Sequence, residues 1–256
     1  MCRWGWPRSG RAGSPSRSWR TSCRPPPTAP RRPIRPALRY ERHEEGRWEV
    51  GRPSIDRIDN GGPTRAAVLV LHGGTQRSAS PVHRGNLSWR RAAALQRALA
   101  ARIGSEGIDV WLLRYGQRGW NNLDDPAPVP DARWALTQMK QYADVPIALV
   151  GHSMGARTGA RIADDSLVRG LVALAPWFPP GEPVSGLKEK DLVVAHGRRD
   201  RITSYAASQE FVRRCEQVAR TTEFVDRGPV GHYLLRDVTA WNDLAASRAL
   251  QMLELD

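Results

Sequence analysis

Residues 66–71, Ala-Ala-Val-Leu-Val-Leu, are apolar without interruption. A strand alternates its side chains between two faces, so an unbroken apolar run predicts a strand buried on both. Further strands are predicted at 109–113, 146–150, 167–174, 191–195 and 221–225. Between them the period changes. Ala92, Leu95, Leu99 and Ile103 fall at helical spacing within 89–103, and Gly104 is the predicted stop. Helices are likewise predicted at 132–142, 156–163, 205–219 and 240–253. Shorter patterns at 47–50 and 54–58 predict antiparallel edge strands, and Asn60-Gly61-Gly62-Pro63 carries turn chemistry. Strands alternating with helices imply an α/β fold: a mainly parallel, doubly wound sheet with helices on both faces. On such sheets ligands bind beyond the carboxyl ends of the strands. No internal repeat interrupts the pattern.

Residues 1–39 follow neither period. They hold ten arginines and no Asp, Glu or Lys, so they account for most of the net charge of +13 and leave +3 for residues 40–256. A basic tail and a near-neutral domain argue against a nucleic-acid-binding domain. With too little apolar surface to fold, residues 1–39 are expected to be a disordered tail or a mis-set start of translation, and residues 40–256 the folded domain. Cys2, Cys23 and Cys215 form no disulfide framework and no CxxC pair, which suits a reducing, cytoplasmic compartment. No run reaches the length of a membrane span, and the start lacks the apolar stretch of a signal peptide.

The chemistry gathers where predicted strands end. Gly151-His152-Ser153-Met154-Gly155 stands between the strand at 146–150 and the helix at 156–163. This is G-x-S-x-G in the strand–turn–helix setting that lifts a serine clear of a sheet edge. Any Cβ at the two glycines would crowd that turn, and Met154 N–H at the helix start points above the serine. His72-Gly73-Gly74-Thr75 follows the strand at 66–71 and offers a second backbone N–H, from Gly74 or alternatively Thr75, to an oxyanion. Asp200 follows the strand at 191–195, and His232 follows the one at 221–225. All three side chains can therefore meet at one sheet edge in the order Ser153, Asp200, His232. His232 suits the base that activates serine, and Asp200 would fix its tautomer. Asp226 reads as an exposed loop acid. His72 and His196 read as partners of loop backbone, and His152 as a neighbour of Ser153 that cannot face it.

The stretches VLVLHGG at 68–74, LVGHSMG at 149–155, VVAHGRRD at 193–200 and GH at 231–232 resemble the α/β-hydrolase superfamily over about residues 45–256. Leu174-Ala175-Pro176-Trp177 resembles esterase and dienelactone-hydrolase-like members; serine aminopeptidase-like members are a further likeness. Dienelactone hydrolases use cysteine where this chain has Ser153, which favours an esterase. Arg114 to Gly119 resembles the loop that borders the active site in many members. The resemblance implies a serine hydrolase that cleaves carboxylic esters of small molecules through an acyl-enzyme, without metal or cofactor. Walker-type, dinucleotide and HExxH motifs are absent from the sequence. Only sixteen residues, 175–190, separate two strands where many members insert a cap, so no sizeable cap domain is expected. Trp177 and Phe178 are then pocket-wall candidates, or a packed loop, and Tyr115 and Trp120 stand between pocket and core. Thr75 is a further pocket candidate. The rival readings are a peptidase, amidase or thioesterase on the same triad, a non-catalytic hydrolase-like binding protein, and a nucleic-acid binder acting through the tail. The pattern specifies no oligomeric state.

Overall fold

The computed structural model describes residues 51–254. The tail expected at 1–39 and the strand expected at 47–50 lie outside the described residues. Seven strands form one sheet: β1 (Ser54–Ile58), β2 (Ala66–Leu71), β3 (Ile108–Arg114), β4 (Ile147–His152), β5 (Val168–Leu174), β6 (Asp191–His196) and β7 (Thr221–Asp226). Their order across the sheet is β1-β3-β2-β4-β5-β6-β7. β1 pairs antiparallel with β3, and every other pairing is parallel.

The unbroken apolar runs have the predicted cause. Ala67, Leu69 and Leu71 of β2 face one core cluster, and Ala66, Val68 and Val70 face the other. β4 divides in the same way, with Ile147 and Leu149 on one side and Ala148 and Val150 on the other. Helices α2 (Pro128–Tyr142), α3 (Met154–Ile162) and α4 (Tyr205–Cys215) supply the first cluster. Helices α1 (Leu87–Ile103) and α5 (Val238–Leu253) supply the second. This is a doubly wound α/β sheet, and among the described residues no cap domain is present: residues 175–190 hold only one short 3-10 turn, Ser185–Leu187.

Helix boundaries follow local signals. α1 ends at Ile103 with Gly104 as its C-cap, as the spacing predicts. The chain continues through a 3-10 turn, Gly104–Glu106, and reverses at Gly107, whose φ of 79° is left-handed. α2 begins a turn earlier than expected because Pro128 is tolerated in a first helical turn. Asp109, at the start of β3, is fully buried. It accepts hydrogen bonds from Arg57 Nη1 (2.9 Å), Thr64 Oγ1 (3.0 Å), and the backbone N–H (3.0 Å) and side-chain amide (2.8 Å) of Asn60. That network ties the β1–β2 turn to the sheet, at the edge opposite the predicted chemistry.

Candidate active site

β4 runs straight into α3, and Ser153 occupies the junction with φ 56° and ψ −118°. L-residues seldom adopt this conformation, and it persists only where the surroundings enforce it. Ser153 N–H donates to Leu174 O (3.1 Å), and Ser153 O accepts from Trp177 N–H (3.2 Å). α3 can press this close to β2 because residue 155 is glycine: a Cβ there would lie 2.1 Å from Leu71 O.

The loops after β6 and β7 carry the other two residues. They lie against each other through Arg198 N–H to Gly228 O (2.8 Å) and Arg199 N–H to Val230 O (3.1 Å). Gly197 permits the approach, since a Cβ at that position would stand 2.2 Å from Val230 O. His232 Nε2 lies 3.0 Å from Ser153 Oγ, and His232 Nδ1 lies 2.7 Å from Asp200 Oδ2. Because a carboxylate only accepts, Nδ1 must carry the proton. Nε2 is then free to accept from the serine hydroxyl. Ser153, Asp200 and His232 thus come together as their order in the chain predicted. Asp226 stays outside, exposed at the end of β7 and paired with Arg198.

Asp200 is held by five donors. Oδ1 accepts from Ile202 N–H (2.7 Å) and Thr203 N–H (2.9 Å). Oδ2 accepts from His232, from Thr203 Oγ1 (2.8 Å) and from His196 Nε2 (3.0 Å). Burial pushes the carboxyl up, but hydrogen bonds from His196, His232 and the two backbone N–H groups outweigh it and hold Asp200 far below the usual carboxylate range. It is therefore ionised at any working pH. His152 Nε2 lies 2.9 Å from His232 O and fixes the backbone of that loop. Burial and the neighbouring His232 push His152 down to about 3, so its ring is neutral.

Three residues near the triad have roles that the sequence pattern did not indicate. His196 bonds the Asp200 carboxylate and Ser208 Oγ, not loop backbone, because the turn from Gly197 to Asp200 folds the acid back over the end of β6. Thr203 bridges Asp200 and His232, and His152 anchors a loop eighty residues away. The only sequence signal was their polarity within buried stretches.

For the oxyanion position, the N–H groups of Gly74 and Met154 donate to no acceptor among the described residues. Thr75 N–H is committed to Arg118 O (2.9 Å), which removes the alternative donor. Gly73 places its backbone beside the nucleophile, where a Cβ would be 3.4 Å from Ser153 Cβ.

The pocket candidates divide. Tyr115, Trp120 and Phe178 are core residues and not walls. Tyr115 packs edge-on against His72 (4.5 Å), Trp120 lies under the Arg157 guanidinium (3.9 Å), and Phe178 stacks on Phe211 of α4 (3.8 Å). Trp177 is half-buried beside Arg157, and Thr75 is exposed. Exposed apolar side chains that the pattern did not single out flank the triad instead: Ile202 follows Asp200 by two residues, and Tyr233 and Leu235 follow His232. Among the described residues no cluster of His, Cys, Asp and Glu is arranged to hold a metal ion, and no helix is long and apolar enough to cross a membrane.

Comparison with known proteins bears on the family and the fold. Residues 68–254 match the model of the alpha/beta hydrolase family. No curated protein matches the sequence. An alpha-beta serine hydrolase homologue from Coxiella burnetii is similar in structure, with a TM-score of 0.59 and 18% identity over 82% of this chain and 99% of that one. A serine hydrolase without a lid from Xanthomonas campestris gives 0.58 and 15%, covering 80% of this chain and 90% of its own. An esterase from Pyrococcus furiosus gives 0.57 and 20%, covering 79% and 85%. At these identities the likeness extends to the fold alone, but the family match spans most of the chain and takes in Ser153, Asp200 and His232. This chain belongs to the alpha/beta hydrolase family.

Proposed function

We propose that the protein is a serine hydrolase that cleaves carboxylic esters of small molecules through an acyl-enzyme. The observation that carries this reading is the unbroken chain from Ser153 Oγ through the His232 ring to Asp200, with links of 3.0 and 2.7 Å, beside two unpartnered N–H groups. Ser153 Oγ attacks the ester carbonyl while His232 Nε2 takes its proton. The oxygen that becomes negative is held by Gly74 and Met154 N–H. His232 then gives the proton to the departing alkoxide, leaving Ser153 acylated. Water attacks the acyl group with His232 again as base, and the acid product leaves with Ser153 reprotonated. Asp200 stays ionised throughout and steadies the imidazolium.

Among the described residues no cap covers the site, which leaves room for ester substrates. A non-catalytic binding protein would not need all three side chains and the free donors together. Among the described residues Cys215 is free and buried, with burial pushing its thiol up to about 12.

The test is turnover of short- and long-chain p-nitrophenyl esters beside matched amide and thioester substrates. Ester turnover is expected to dominate. Ser153→Ala is expected to lose turnover by several orders of magnitude and to lose labelling by a fluorophosphonate probe. Labelling of another serine would overturn the assignment.

A further inference from the structure

His196 is fully buried and takes no part in the steps above. Its Nε2 lies 3.0 Å from Asp200 Oδ2, the same oxygen that His232 Nδ1 reaches at 2.7 Å. Two imidazoles therefore share one carboxylate oxygen. Since Asp200 only accepts, His196 Nε2 must be protonated. Its Nδ1 then accepts from Ser208 Oγ (2.8 Å), a fully buried hydroxyl on α4. The Asp200 carboxylate thus selects the tautomer of His196, and Ser208, donating to the other nitrogen, holds the ring so that it presents a fixed N–H to Asp200.

We infer that His196 is a positioning residue of the esterase reaction: its N–H, oriented by Ser208, fixes the Asp200 carboxylate and limits how strongly that carboxylate holds the proton of His232. The inference rests on the proposed triad. The physical ground is competition for one acceptor. Each donor on Oδ2 draws electron density from the oxygen, so Asp200 pulls less on His232 Nδ1–H than a carboxylate with a single partner would. A weaker pull makes the imidazolium formed during turnover less stable, so loss of the donor is read in the acid limb of the pH profile. The third donor on Oδ2, Thr203 Oγ1 at 2.8 Å, acts in the same direction but is tied to the loop of Asp200 itself. His196 belongs to β6, so its bond also fixes that loop to the sheet.

The other titratable and charged groups around this pair do not replace the effect. His152, 4.9 Å from the His232 ring, is neutral in the working range because its own value is near 3. Tyr205 packs edge-on to His196 at 5.8 Å, and Tyr233 edge-on to His232 at 5.4 Å. Arg91, the cation acting on His152, bonds Leu234 O (3.4 Å) and Asn242.

The experiment compares pH profiles of ester turnover for the full-length wild type, His196→Gln, His196→Leu and Ser208→Ala, each checked for folding by circular dichroism. Leucine fills the space and removes the donor, while glutamine returns an N–H near the position of Nε2. His196→Leu is expected to lower kcat by about tenfold or more with little change in KM, and to move the acid limb of the profile to higher pH by about half a unit. His196→Gln is expected to restore most of kcat and return the limb toward wild type. A folded His196→Leu with wild-type kcat and acid limb overturns the inference. So does a fall in activity with an unmoved limb and no rescue by glutamine, which marks a purely structural role. Should His196→Leu fail to fold, Ser208→Ala decides: a smaller shift of the limb in the same direction supports the inference, and an unchanged profile overturns it. The proposed function fails separately, if Ser153→Ala still turns over ester.

Discussion

At Ser153 the backbone and the chemistry are the same problem. Its φ of 56° and ψ of −118° suit glycine, and strain of this kind costs about 1–3 kcal/mol at a residue with a Cβ. Ser153→Gly is therefore expected to be more stable than Ser153→Ala by about 1 kcal/mol, measured by denaturant unfolding. Both lack the hydroxyl, so the difference isolates the Cβ. Equal stability would mean that the turn is relaxed. The two acids near His232 separate as cleanly. Asp200 holds five hydrogen bonds at the site, whereas Asp226 is exposed on Arg198. Asp200→Asn is expected to lower kcat by orders of magnitude, and Asp226→Asn to keep it within about twofold. Steady-state kinetics of the two variants checks this, and a reversed ranking would transfer the role to Asp226.

Among elements, α3 does more than carry the nucleophile. Arg157 and Arg161, one and two turns beyond Ser153, both bond Glu182 of the loop that follows β5. The Glu182 side chain is fully buried, and the Arg157 side chain is 3% exposed. Arg214 of α4 adds a bond to Glu182 O (2.9 Å). This loop is thus fastened by charge to the helix that follows Ser153. Removing one partner of a buried pair leaves the other charge without compensation, at a cost of about 3–5 kcal/mol. Glu182→Ala is expected to lower stability by that order in urea unfolding. A loss below 1 kcal/mol would show that water reaches the guanidinium groups. The ester KM is expected to change as well if Trp177, half-buried on this loop and packed on Arg157 at 4.5 Å, borders the substrate.

Across the whole molecule, two neutral histidines make the fold sensitive to acid. Burial pushes His72 down to about 4, and burial with His232 pushes His152 to about 3. In the unfolded chain each takes a proton near 6.5. Between that value and the folded ones the unfolded state binds more protons, so stability falls as pH falls through this window. Asp200 acts in the same sense at lower pH. Its folded carboxyl lies below the ordinary value, so its contribution is present above about 4 and is lost as pH falls further. The melting temperature is expected to drop steadily from pH 7 to pH 4, with a shallower slope in His152→Asn. Parallel slopes for the two proteins would remove His152 from the account.

The sequence by itself determined the sheet, the helices and which three side chains, Ser153, Asp200 and His232, meet at its edge. Runs such as 66–71 need no tertiary knowledge, because burial on both faces leaves no polar position for a strand to show. The turn at Ser153 was equally legible: a Cβ at Gly151 would meet Ala156 within the same turn, although the demand for glycine at 155 comes from Leu71 O of β2. What the tertiary structure decided depends on segments far apart in the chain. The aromatic residues Tyr115, Trp120 and Phe178 look alike in a pattern whether they line a pocket or fill the core, and only His72, Arg157 and Phe211 across the fold place them inside. The commitment of Thr75 N–H to Arg118, and of His196 to Asp200 and Ser208, likewise follows from how loops fold over strand ends. A period in the sequence states which face of an element is buried. Which polar atoms meet there is fixed by chain reversals that local composition does not encode.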